Sequence, residues 1–112
     1  MYTVLMTEHF TEWLTNLSQS EQESMAYAIK LLQTYGHELS RPYADTLYNS
    51  TISNLKELRI QHSGKPYRAF FAFDPRRQAI LLCAGDKTGD KRFYQRMIPL
   101  AESLYQAYLE QL

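Results

Sequence analysis

The side chains able to do chemistry in this chain are mostly cations, and they recur at spacings that suit strands and a loop. Lys56, Arg59 and Arg68 lie in segments that read as neighbouring strands. Lys87, Lys91 and Arg92 lie in the stretch GDKTGDKRFYQR, from Gly85 to Arg96. Tyr67, Phe93 and Tyr94 interleave with them. Cations of this kind bind phosphates, and aromatic faces stack on unpaired bases. One strand pair and one loop would bring the set together. Singly, Arg59 and Arg68 are also explained by ion pairs with Glu57 or Asp74. Asp86 and Asp90 read as caps of the turn and of the following helix. As a set, the cations point to a polyanion.

Other chemistries fit less well. A nucleotide-binding P-loop needs a G-x-x-x-x-G-K-[ST] spacing. Here Gly85 and Gly89 are too close, and Asp90 follows Gly89. His9, His37 and His62 are scattered, with no spacing that suits a metal, so no metal or cofactor is expected. Cys83 lies within an apolar run, where cysteine behaves as a small buried hydrophobe, and it has no partner for an internal disulfide.

The 112 residues suit one domain, residues 1–112, and 45% hydrophobic content is enough for a packed core. No segment reads as a signal peptide or a membrane span, so a cytoplasmic protein without a membrane partner is expected. Net charge is zero but unevenly spread. Residues 1–40 carry Lys30 against five acids, while residues 41–96 carry eleven basic and five acidic side chains. A basic middle between acidic ends suits either a polyanion-binding face or acidic helices paired with a basic sheet edge.

The elements that must position these residues can be read in outline. Residues 2–5 suit a short strand. Phe10, Trp13, Leu14 and Leu17 fall on one helical face. A break follows at Ser18-Gln19-Ser20, and Ser20 with Glu23 matches a capping box. Met25, Ala28, Ile29 and Leu32 make a second stripe, which Gly36 ends. Residues 37–54 read as a loop with a helical turn. LKELRI from Leu55, YRAFFAF (67–73) and AILLCA (79–84) read as three strands joined by turns at Ser63–Pro66 and Asp74–Arg77, an antiparallel meander. Pro99 marks a helix start, and Leu100, Leu104, Ala107 and Tyr108 its stripe. The expected order is β-α-α-β-β-β-α. That is an α+β fold: a small antiparallel sheet packed against an N-terminal helical hairpin and a C-terminal helix, with the helices on one face.

The ordered run of LKELR, a turn, YR with an aromatic strand, FDPRR, and an apolar strand ending in GDK resembles the RelE/ParE toxin superfamily. It is most similar to the phage-derived, HigB-like branch. The resemblance covers about half of the chain closely, and the β-α-α opening suits the same fold. It implies a small cytoplasmic toxin made beside a helix-turn-helix antitoxin, with operator DNA reached only through that antitoxin. It implies metal-independent cleavage of mRNA on the ribosome. The ParE branch shares the fold and inhibits DNA gyrase without cleavage, and a non-catalytic RNA-binding module is a further alternative. By position in the motif, Arg68 and Lys87 would stabilise transition-state charge, and Tyr94 would stack on or orient the substrate or donate a proton. Lys56, Arg59, Lys91 and Arg92 would grip mRNA or ribosomal RNA. The chain departs from some RNA-cleaving relatives at Glu57, where they carry another lysine. It has no histidine in the terminal motif.

Overall fold

A computed structural model describes residues 1–112. It contains β1 (Val4–Met6), α1 (Glu8–Thr15), α2 (Gln19–Tyr35), a 3-10 turn (Gly36–Glu38), β2 (Ala44–Thr46), β3 (Lys56–His62), β4 (Lys65–Phe73), β5 (Ala79–Asp86) and α3 (Phe93–Glu110). The five strands form one sheet in the order β1-β5-β4-β3-β2. The expected meander is β3-β4-β5, antiparallel throughout. At one edge β1 joins parallel to β5, with Val4 opposite Ala79. At the other edge the short β2 pairs Ala44 with Leu58. It falls in the stretch expected to be a loop.

The helices do not share one face of the sheet. The α1–α2 hairpin packs on Leu58, Ile60, Tyr67, Ala69, Phe71 and Leu81, while α3 packs on Phe70, Ala72, Ile80, Leu82 and Cys83. Alternation makes this unavoidable. Successive residues of β4 point to opposite faces, and both sets are apolar. A strand hydrophobic on both sides must be covered on both. Phe10, Phe70, Phe71 and Phe93 are fully buried in the two half-cores.

One irregularity controls which side chains share the α3 face. The register of β4 on β5 shifts between Phe70, opposite Cys83, and Phe71, opposite Leu81. The extra β5 residue breaks the alternation: Ile80, Leu82 and Cys83 all pack toward α3. Beyond the bulge, Gly85 therefore faces α3 too, and a Cβ there would lie 3.1 Å from the Phe93 ring. A glycine at this point lets α3 approach the sheet closely. The same phasing carries Lys87 to the α3 side.

Two helix boundaries differ from expectation. The capping box of α2 is Ser18 with Glu21, two residues before the expected pair. Ser18 has extended backbone; its hydroxyl accepts the Glu21 amide at 3.2 Å, and Glu21 Oε1 accepts the Ser18 amide at 2.7 Å. Helix α3 begins at Phe93, so Pro99 lies inside it. Asp90 sets this earlier start: its carbonyl accepts the Phe93 amide, and its carboxylate accepts the Arg92 amide and the Arg96 guanidinium. Tyr94 is thereby placed in the first turn of α3. Gly36 ends α2 as expected, at a φ of 54° that favours glycine.

Glu21 also ties α2 to β4, because the Tyr67 hydroxyl donates to its second carboxylate oxygen. That bond first, and the Ser18 bonds next, hold the Glu21 pKa down to about 2. Tyr67 is pushed up to about 12, chiefly by the same bond. A carboxylate depressed by folding stabilises the folded state above its unfolded pKa, and that contribution is lost as pH falls through the folded one. Glu21→Gln should therefore lower the melting temperature near neutral pH. The gap to wild type should close as pH falls from about 4.5 toward about 2. Thermal melts across that range check it; a gap independent of pH would contradict it.

Candidate functional site

Glu57, Arg59 and Arg68 face α3 from the middle of the sheet. Arg59 lies opposite Arg68 in the β3–β4 register, and Glu57 is two residues from Arg59, so all three share a face. Glu57 and Arg68 are buried, at 3% and 6% exposure. Charged groups this deep are rare unless paired. The Glu57 carboxylate sits between two guanidiniums: Arg68 Nε is 3.7 Å from Oε1, and Arg59 Nη1 is 3.7 Å from Oε2. Neither separation is a hydrogen bond. Arg68 Nη1 donates to the Tyr67 carbonyl at 2.9 Å, but its buried Nε has no acceptor.

Tyr94 closes the group from α3. Its hydroxyl donates to Glu57 Oε1 at 2.6 Å, and Phe70 and Phe93 hold its ring edge-on. Burial raises the Tyr94 pKa first, the hydrogen bond to Glu57 and its charge raise it further, and Arg68 opposes them. At neutral pH the phenol keeps its proton. Lys87 Nζ lies 5.4 Å from the centre of the same ring, a cation–π distance. One carboxylate thus sits between two guanidiniums, and the phenol that bonds it carries a third cation over its ring.

Of the residues singled out from sequence, the fold brings together Arg59, Arg68, Lys87 and Tyr94. Lys56 is not among them. Alternation turns it to the other face of β3, where its Nζ bonds Thr46 Oγ1 at 3.1 Å. Lys91 and Arg92 lie exposed on the loop that leads into α3. The acids of that loop are occupied: Asp86 accepts the amide and hydroxyl of Thr88, and Asp90 pairs with Arg96 at 2.7 Å. The histidines contribute nothing to this cluster. His9 is on α1, His37 in the 3-10 turn and His62 at the end of β3.

Sequence reasoning missed two participants. From sequence Glu57 reads as an ion-pair partner for Arg59 or Arg68 and as a departure from relatives that carry lysine, not as a member of the site. Its spacing of two from Arg59 on a strand was the available signal. Arg41, on the loop before β2, pairs with Asp45 at 2.7 Å, and Asp45 lies opposite Glu57 in the register. Nothing local marked it. Because burial and Glu57 both raise the Tyr94 pKa while Arg68 lowers it, Glu57→Gln should lower it. Ultraviolet titration of the tyrosines, with Tyr94→Phe as the reference, checks this. An unmoved Tyr94 titration would contradict the coupling.

The chain is similar to known proteins over most of its length. The family described as "Phage derived protein Gp49-like" matches residues 12–106. A protein named "Putative toxin HigB3" from Mycobacterium tuberculosis is 41% identical over 107 residues, covering 95% of this chain and 92% of that protein. A second from the same organism, named "Putative toxin HigB2", is 38% identical over 106 residues, 93% of this chain and 53% of that protein, so the chain spans about half its length. Gp49-like proteins are thus the phage-derived, HigB-like family to which this chain belongs.

Proposed function

We propose that the chain is the toxin of a toxin–antitoxin pair and that it cuts mRNA on the ribosome through the Glu57–Arg68–Tyr94 group. The toxin role rests on the names of its relatives. The observation that carries the chemistry is the buried Arg68, whose Nε has no acceptor although it faces Glu57 and lies beside Tyr94. An unsatisfied buried donor is costly and concentrates at working sites. A phosphate oxygen would satisfy it, and a guanidinium suits phosphate well.

The steps follow from the groups present. The RNA 2′-hydroxyl attacks the adjacent phosphorus and its proton passes to Glu57. The P–O5′ bond breaks, and the leaving 5′-oxygen takes the Tyr94 proton. Arg68 and Lys87 stabilise the charge on the phosphorane and on the transient phenolate. Glu57 then returns a proton to Tyr94 along their 2.6 Å hydrogen bond, which resets the site. The products are a 2′,3′-cyclic phosphate and a 5′-hydroxyl. The nucleophile is the RNA's own hydroxyl, so the scheme needs no metal ion to activate water. Arg59, Lys91 and Arg92, with Arg41 beyond its pair with Asp45, would grip mRNA or ribosomal RNA, and Lys56 would do so only from the other face.

The partner is an antitoxin protein carrying a helix-turn-helix, through which operator DNA would be reached. No helix is long and apolar enough to cross a membrane, and the cytoplasm is where this chemistry has its substrate.

Primer extension on a reporter mRNA in a cell-free translation system tests the reading. Wild type should give cuts inside the reading frame only when ribosomes translate. Lys87→Ala should lower the cutting rate roughly tenfold, and Glu57→Gln roughly a hundredfold or more. Arg68→Lys should lose about a hundredfold by forfeiting the planar fork while keeping the buried charge. Circular dichroism should show all three folded. Full-length mRNA with wild type, together with blocked gyrase, would overturn the nuclease reading.

A further inference from the structure

A groove of about 630 Å³ opens between α2 and β3, and Arg59 lines it. Arg59 also reaches Glu57, so the groove continues the candidate site around the sheet edge. Tyr27 and Tyr43 stand on its walls at 64% and 45% exposure, which leaves their ring faces open to a ligand. His62 is held in place inside it: Nδ1 bonds Ser24 Oγ at 2.7 Å, and Nε2 lies 3.4 Å from Ser20 Oγ. β2 stops pairing at Ala44, and the Arg59 amide donates to the Tyr43 carbonyl. Gln61 is the next β3 residue whose backbone groups point to that side.

We infer that this groove is a base-reading subsite. It takes one unpaired nucleobase of the RNA next to the phosphate held at Arg68, and so sets which sequences are cut. The inference rests on the nuclease reading above. Its parts suit a base better than the alternatives. The tyrosines offer stacking faces, and the cation Arg59, which also reaches Glu57, lies at the site side, where the backbone phosphate would remain. The one carboxylate lining the groove, Glu23, repels a phosphate but accepts from a base. A peptide strand would need several consecutive edge groups. Here only His62 separates Gln61 from the turn at Ser63.

Glu23 also gives the site a preference. A carboxylate only accepts, and guanine offers two adjacent donors on its Watson–Crick edge. Uracil offers one donor between two acceptors. Guanine should therefore bind best and uracil worst.

Two measurements test this. The first is anisotropy with uncleavable 2′-O-methyl hexamers, UUXUUU with X as G, A, C or U, which needs neither ribosome nor cleavage. Wild type should favour G over U roughly fivefold, and Glu23→Gln should narrow the gap. Tyr43→Ala should weaken the G hexamer about tenfold and erase the base difference, while Tyr43→Phe retains both. The second is the map of cut sites on mRNA, in which Tyr43→Ala should flatten the base preference beside the cut without moving cutting off the ribosome. If wild type cuts mRNA but Tyr43→Ala and Tyr27→Ala leave both base profiles unchanged, the inference falls and the nuclease reading stands. If those variants only weaken capture of the cognate antitoxin, the groove is a protein interface and the inference falls as well. If wild type leaves mRNA whole yet shows the hexamer preference that Tyr43→Ala erases, the groove binds a base, but the nuclease reading fails and with it the role in choosing cut sites.

Discussion

Two-sided burial of β4 and β5 is the constraint on which the rest depends. An apolar strand pair at the centre of the sheet requires a helical layer on each side, so the hairpin takes one face and α3 the other. The bulge opposite Phe70 then decides what α3 covers. Without the extra residue, the odd positions of β5 would keep facing the hairpin through to Lys87. With it, Gly85 meets Phe93 and Lys87 comes beside Tyr94. A local irregularity in hydrogen bonding thus composes the site, as bulges near functional groups commonly do.

Within that frame the site is an electrostatic compromise. Burying Glu57 or Arg68 alone would cost several kcal/mol. Together they offset much of that cost, yet at 3.7 Å they do not form the close, forked pair that a purely structural role would favour. The shorter bond goes to the neutral phenol of Tyr94. Glu57 is thereby held by a group that can exchange a proton with it, and Arg68 keeps a donor uncommitted.

How much of this was legible in the sequence follows from the length scale of each signal. The meander was readable because turn residues punctuate it, and so were the helix stripes of α1 and α2. The family resemblance was carried by LKELR, YR, FDPRR and GDK in order, and the family match agrees with it. The two-faced packing was harder to see. AILLCA is apolar at every position, so it announces neither alternation nor a bulge. β2 has three residues and is stabilised by β3 rather than by its own composition. Pro99 is a reasonable helix start, but Asp90 offered caps earlier. The misplaced capping box has the same origin: Ser18 and Ser20 both match the pattern with an acid three residues on, and only the end of α1 decides between them. Lys56 and Glu57 show the remaining gap, since a strand fixes which neighbours share a face but not which face meets the site.

Analysis of the RNA end groups tests the central claim most directly. If Glu57 takes the proton of the RNA's own 2′-hydroxyl, the upstream fragment must end in a 2′,3′-cyclic phosphate and the downstream fragment must begin with a 5′-hydroxyl. Fragments ending in a 3′-hydroxyl and beginning with a 5′-phosphate would mean that water, not the ribose, was the nucleophile, and would contradict the roles assigned to Glu57 and Tyr94.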